Sequence, residues 1–432
     1  MTGRTVDETL PRSDEVKRDW VSIVYLLFAL CVSMSVSQEY AGEPSLGRYL
    51  LFVAPVIVAA LIRPLRLIKA ASSKILVILF FVFISGGYFI VRGDVTATLQ
   101  LLLLGLGTLW FCVKDVKFID HDLYLIYVAM IGIGAVIWVA TDLNLWGLIP
   151  GTTDATYGVW RVSFFPNIAF TAFFSLSIIL IHTRDGLRDV LKSPIFLIAL
   201  YFTIFSFVRT ALICLVLYIF AFWVMRKLKN PLEMFFASLF IAVSATLFIA
   251  FSATIFDSLQ NISIVSRLFL RNETQLSEFE IYQQLYRPWL WGEQLKLAWE
   301  SPNVLGWGSI PFVDLVQNSI FNYGLESGDS VSFPTRLLSQ FGAMGLLYWA
   351  FLLICLKDMA YRLDRWGCAV FPVIFMTMMQ WGSMFHVTDP MALIYTGVLV
   401  KGADFIGTGM KSRQHRGDRP TISRRSVASA SL

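Results

Sequence analysis

Residues 194–225, PIFLIALYFTIFSFVRTALICLVLYIFAFWVM, form an apolar run of about thirty residues with one charge, Arg209, near the middle. An arginine at the centre of a membrane helix costs roughly 2.5–3.5 kcal/mol on insertion scales. Both flanks of the run are basic, TRDGLRDVLK before it and RKLK after it. Basic flanks favour the cytoplasmic side, and a single crossing would separate them. Two crossings that reverse near Arg209 satisfy both. Each arm then has about 15 residues and rises ~22–24 Å at 1.5 Å per residue, short of the ~30 Å hydrocarbon thickness. The turn is therefore expected below the outer face of the membrane, in a protein-lined cavity reached by water, because non-helical backbone at that depth is tolerated only there. Arg209 then has two readings. It snorkels to the outer headgroups and places the hairpin, or it lines the cavity and holds an anion.

Apolar segments of this kind recur along the chain, which is 56% hydrophobic over 432 residues. They predict an all-α polytopic membrane protein with about twelve spans, near 20–37, 49–62, 75–91, 96–113, 123–141, 166–182, 193–208, 210–225, 232–255, 339–356, 368–384 and 390–406. An even number of crossings puts both termini on one side. With that side as the cytoplasm, 25 of the 35 lysines and arginines lie inside, as the positive-inside rule requires. The net charge of +5 is therefore a topological signal and gives no reason to expect nucleic acid. Residues 1–19 read as a polar cytoplasmic tail that does not resemble a cleaved signal peptide, and 407–432 as a basic cytoplasmic tail. The transmembrane domain occupies 20–406. All five cysteines, Cys31, Cys112, Cys214, Cys355 and Cys368, fall in apolar segments and read as packing residues.

Two outer loops are long. The first, about 142–165, ends in Trp160-Arg161-Val162-Ser163 and leads to Pro166-Asn167. Pro166 suits the first turn of the following helix, which would set Arg161 just before a helix N-terminus that favours anions. The competing reading pairs Arg161 with Asp154 on the surface. The second loop, 256–338, is the large polar insertion between spans nine and ten. Its segment 278–299 reads as an amphipathic helix with an apolar stripe of Ile281, Leu285, Trp289, Leu295 and Trp299, suited to the membrane interface. Pro302 ends it and Gly306-Trp307-Gly308 forms a turn. Arg267, Arg271 and Arg287 add positive charge, and indoles beside polar groups suit sugar rings as well as an ordinary aromatic belt.

The chemistry that the sequence lacks narrows the reading. It holds no Walker A motif, no HExxH, no Cys/His cluster, no GxSxG elbow and no acidic pair placed for a nucleotide-sugar metal. No metal or cofactor is expected. The arginines remain, and their planar forks suit phosphate and pyrophosphate. A lipid-linked pyrophosphate carries its own leaving group, so a transferase using it needs only positive charge to stabilise the departing anion.

With these residues in view, the chain resembles the bacterial O-antigen polymerase/O-antigen ligase family of integral membrane glycosyltransferases. WRVSFFPNIAF is similar to the family's arginine-containing approach to a middle span. FSFVRTALICLVL is similar to its Ser-x-x-Arg-Thr-Ala-like element, and YRPWLWGEQLKLAWESPNVLGWGS to its long-loop pattern. The resemblance implies a fold like the C-type membrane glycosyltransferases, a bacterial inner-membrane location and an undecaprenyl-pyrophosphate-linked glycan donor. It also implies pyrophosphate contacts at Arg161, Arg209 and Arg287, with Arg267 or Arg271 as further candidates. The ligase branch usually carries a histidine before the span that follows the long loop. Here that region reads GDSVSFPTRLLSQFGAMG, which favours polymerase and leaves the general base open among Glu326, Asp329 and His386.

The expected function is polymerisation of lipid-linked repeat units at the periplasmic face, beside membrane lipid and alongside a chain-length regulator and a flippase. The alternatives are an O-antigen ligase acting on lipid A core and a lipid-linked oligosaccharide transporter. The latter often shows internal repeats, and none is evident here.

Overall fold

A chain this apolar has no water in a bilayer to satisfy its amides, so it pairs them within helices. A computed structural model describes residues 73–113, 118–141, 146–151, 160–184, 186, 190–251, 287–301, 304–308, 332–380 and 390–407, with isolated positions elsewhere. Among them run α1 (Ser73–Arg92), α2 (Val95–Val113), α3 (Asp120–Ala140), α4 (Ile168–His182), α5 (Pro194–Phe205), α6 (Arg209–Lys227) and α7 (Pro231–Ala250). They are followed by α8 (Arg287–Trp299), α9 (Phe333–Phe341), α10 (Ala343–Tyr361), α11 (Arg365–Gln380) and α12 (Pro390–Lys401). A two-residue parallel pairing joins β1 (Phe118–Ile119) to β2 (Ile406–Gly407). Among the described residues, five helices are long and apolar enough to cross a membrane: α1 from Lys74, α3, α6, α7 and α10. The protein is thus a mainly α-helical one with membrane-spanning character. The expected spans 20–37 and 49–62, both tails and most of the 256–338 loop lie mainly outside the described residues.

The core centres on α11, which is buried at every position from Trp366 to Gln380. Pro372 lies inside this helix. It has no N–H to give the carbonyl four residues back, at Cys368. Ser238 Oγ of α7 donates to that carbonyl at 2.8 Å, so the breach is repaired from a neighbouring helix, as a dry interior requires. By contrast, α6 and α7 leave Val216, Phe220, Trp223, Phe236 and Phe240 more than half exposed. In water such a face would be a liability; against lipid tails it is compatible with the surroundings. Of the cysteines, Cys214, Cys355 and Cys368 are buried free thiols and Cys112 is half-buried.

The bundle has two distinct ends. At one, Lys74 Nζ pairs with Asp358 at 2.8 Å and donates to Val400 O at 2.7 Å. The Arg184 guanidinium donates to Ile406 O, and Arg362 pairs with Asp404 at 2.8 Å. Asp364 accepts from Gly367 N at 2.8 Å and Ala403 N at 2.7 Å. Burial pushes its carboxyl above the usual carboxylate range, against the pull of those two N–H groups. This end gathers described basic residues that the sequence assigns to the inner side.

The opposite end collects the C-termini of α1, α3 and α5, the N-termini of α4 and α6, and α8 with α9. Its main surprise is the break between α9 and α10, where the expected span 339–356 begins inside a separate short helix. Gly342 has φ 54° and ψ −125°, a mirror-image conformation that L side chains rarely adopt. Ala343 N bonds to Val304 O at 2.9 Å. The chain turns sharply there because another strand of backbone passes against it.

Candidate functional site

The hairpin inferred from the basic flanks of the 194–225 run is present. Val162 N, just ahead of α4, donates to Phe205 O at the end of α5 at 3.0 Å. Beyond the reversal, Tyr218 OH of α6 lies 2.6 Å from Thr183 Oγ1, just past the other end of α4. Thus α5 and α6 run in opposite directions beside α4. The two arms are unequal, unlike the sequence expectation of about 15 residues each: α5 has 12 residues and α6 has 19. At 1.5 Å per residue α5 rises only ~18 Å, short of the ~22–24 Å expected of each arm.

The turn itself is Ser206-Phe207-Val208. Ser206 Oγ donates to Thr203 O at 3.1 Å. Phe207 has φ 50°, a conformation that costs a bulky L-residue about 1–3 kcal/mol. Arg209 is then the first residue of α6, and the residue before it, Val208, supplies no side-chain cap. A cation at the positive end of a helix dipole is unfavourable by ~0.3–1 kcal/mol when exposed. The chain therefore carries a strained backbone and a cation at a helix start within three residues. A helix start and a guanidinium both favour an anion.

The Arg161 segment meets this turn. The Val162–Phe205 bond falls one residue after Arg161 and four before Arg209. Gly147 and Ser163 exchange backbone hydrogen bonds at 2.9 and 2.8 Å, and Tyr201 OH of α5 donates to Leu148 O at 2.9 Å. The outer loop is thus pinned to the end of α5. Arg161 is partly buried and Trp160 beside it is 49% exposed.

Pro166 is a correction to the sequence reading. It precedes the N-cap, Asn167, whose side chain accepts from Ala169 N at 2.9 Å. The N–H groups of Phe164 and Phe165 both reach Thr171 Oγ1, at 3.2 and 3.1 Å. The α4 approach is therefore satisfied from within, and Arg161 is six residues ahead of the cap. The Arg161 segment bonds instead to the end of α5, through Val162.

Phe164 fixes this arrangement. It is fully buried and its ring packs at 5.6 Å from Tyr127, 5.0 Å from Phe165 and 4.8 Å from Phe202. Gly134 of α3 makes room, since a Cβ there would lie 2.5 Å from Phe164 O. Phe164→Ala should lower stability by about 3–5 kcal/mol and loosen the Arg161 segment. A marked fall in thermal midpoint, with a milder one for Phe164→Leu, checks this.

At the same end, Trp307 N donates to Ser339 O at 3.0 Å and Gly308 N to Gln340 O at 2.8 Å. The Arg92 guanidinium donates to Gly306 O, and Trp307 Nε1 to Leu297 O at 2.7 Å. The expected Gly-Trp-Gly turn is thus a clamp joining α1, α8 and α9. Arg287 opens α8. The helix buries a different stripe from the one expected: Leu290, Trp291, Gln294 and Leu297 are buried, whereas Leu295 and Trp299 are 48% and 92% exposed. Packing against α9 selects that face, which no single-helix pattern specifies. Arg267, Arg271, Glu326, Asp329 and His386 lie outside the described residues. Arg92, Trp291 and Gln294 were not singled out from sequence. Arg92 had one available signal, its place at the end of an apolar span beside Gly93-Asp94.

Among the described residues, no three of His, Cys, Asp or Glu gather to hold a metal ion. No protein-family model, curated protein or solved structure matches the chain.

Proposed function

We propose that the chain is a polysaccharide polymerase of a bacterial inner membrane, crossing about twelve times with both termini in the cytoplasm and the 256–338 loop in the periplasm. The observation that carries the reading is the junction of the Arg161 and Arg209 segments through the Val162–Phe205 hydrogen bond, at an uncapped helix start. In this reading the Arg161 and Arg209 guanidinium groups, with the start of α6, form a seat suited to a pyrophosphate. Arg287, with Arg267 or Arg271, adds charge from the long loop.

In this mechanism the growing glycan is attached to undecaprenyl pyrophosphate. The bond between its anomeric carbon and the pyrophosphate oxygen breaks, and a hydroxyl of a new lipid-linked repeat unit forms the glycosidic bond. The electron pair leaves on the pyrophosphate, where the arginines stabilise the added negative charge. The hydroxyl proton passes to a base drawn from Glu326, Asp329 and His386.

The testing experiment is a gel of surface and lipid-linked glycans from a strain lacking the chain. The polymerase reading expects single repeat units on the normal acceptor and loss of the long ladder. Long polymer stranded on undecaprenyl pyrophosphate would instead identify a ligase. An unchanged ladder would overturn both readings, and loss of lipid-linked units from the outer leaflet would point to a transporter.

A further inference from the structure

Two buried side chains of α8 carry N–H donors that meet no acceptor among the described residues: the indole Nε1 of Trp291 and the amide Nε2 of Gln294. Trp291 is 4% exposed and Gln294 fully buried. An unpaired buried donor costs about 1–3 kcal/mol, and folded chains pair nearly all of theirs. Here two lie within one turn of one helix.

The spacing i, i+3 puts both on one face. That face meets α9, because Thr335 Oγ1 donates to Gln294 Oε1. Arg287 stands four residues before Trp291 and seven before Gln294, so the three positions share a face of α8. The indole nitrogen and the amide nitrogen are donors only. Their missing partner is therefore an acceptor, and the best fit is an oxygen with lone pairs and no proton of its own to place: a carbonyl or a carboxylate. A water would bring two further protons needing acceptors.

We propose that Trp291 and Gln294, on the face of α8 that also bears position 287, form a donor-only subsite that takes the carbonyl or carboxylate oxygen of an acetamido or uronic acid sugar of the lipid-linked substrate. The proposal rests on the polymerase reading and adds the residues that select the sugar. Burial sharpens the selection: a hydroxyl oxygen in that place can accept from the donors but brings a proton with no acceptor to take it, and buried sites reject such a mismatch strongly. Entry requires the α8–α9 seam to part.

The test uses the full chain purified in detergent and four radiolabelled probes: a short polyprenyl pyrophosphate alone, and the same lipid carrying glucose, N-acetylglucosamine or glucuronic acid. The N-acetylglucosamine or glucuronic acid probe should bind at least about tenfold more tightly than the glucose probe, and which of the two does so names the carbonyl or the carboxylate. Trp291→Phe and Gln294→Met should each erase that preference and leave affinity for the bare lipid pyrophosphate within about twofold. Gln294→Met should change the thermal midpoint little, since it removes the unpaired Nε2 and, with it, the acceptor that Thr335 Oγ1 uses. A sugar preference left intact in Gln294→Met would mean that Gln294 is purely structural and would overturn the subsite. So would a wild type that binds all three sugars alike. A wild type that does not bind the bare lipid pyrophosphate would overturn the polymerase reading and the subsite with it.

Discussion

Arg209→Ala should insert and fold normally yet extend lipid-linked glycan about 10²–10³-fold more slowly, the loss typical of removing one group that stabilises a developing oxyanion. Arg209→Lys should fall between, because lysine keeps the charge but loses the planar fork. The measurement is transfer between lipid-linked repeat units in proteoliposomes, with size-exclusion behaviour and thermal midpoint as controls for folding. The pair Arg161→Ala and Arg209→Ala gives a sharper version. If both guanidinium groups serve one pyrophosphate, the double variant should lose less than the product of the two single losses. The geometry behind this is the hydrogen bond from Val162 to Phe205, which fixes both segments at one junction. Full-length polymer at the wild-type rate from Arg209→Ala would sink the mechanism.

Gly342→Ala should be the most damaging single methyl addition among the described residues tested this way. A Cβ at Gly342 would lie 2.1 Å from Val304 O and 2.8 Å from Gly306 N. Neither backbone atom yields as a flexible side-chain tip does, and φ is 54° there. Strain and overpacking together should cost about 3 kcal/mol or more. Because Gly342 joins α9 to α10 and receives the clamp at 304–308, the loss should appear as a lower thermal midpoint together with increased protease cleavage between α8 and α9. Gly292→Ala is the control. Nothing lies within 4 Å of a Cβ there, and alanine favours a helix interior over glycine by ~0.5–1 kcal/mol. Equal midpoints for the two variants would show that the backbone crossing does not hold this end together.

The described helices follow the hydropathy of the sequence. The α5–α6 reversal at Ser206-Phe207-Val208 followed from two basic flanks that one crossing would have separated. The gathering of Lys74, Arg184 and Arg362 at one end of the bundle agrees with the same charge rule. These are local or one-dimensional signals: hydropathy over a span's length, and the sign of charge at its ends. The candidate site was legible only in part. Arg161 and Arg209 were named from their residue type and position, but the helix start expected beside Arg161 lies six residues beyond it, at Asn167. The sequence around Pro166 carries an acceptable helix-initiation pattern. Only the long-range bond to Phe205 and the internal use of Thr171 show that α4 is already satisfied.

The sequence by itself therefore determined that this chain is helical, carries segments long and apolar enough to cross a membrane and keeps one charge in the middle of its longest apolar run. Those properties depend on each segment's transfer between water and hydrocarbon, which a segment's own composition sets. The tertiary structure decided which face of α8 is buried, where α9 breaks from α10, and that the segments bearing Arg161 and Arg209 meet. Each of these turns on contacts between residues far apart in the chain: Gln294 with Thr335, Gly342 with Val304, Val162 with Phe205. A pattern read along one helix contains no term for the helix packed against it.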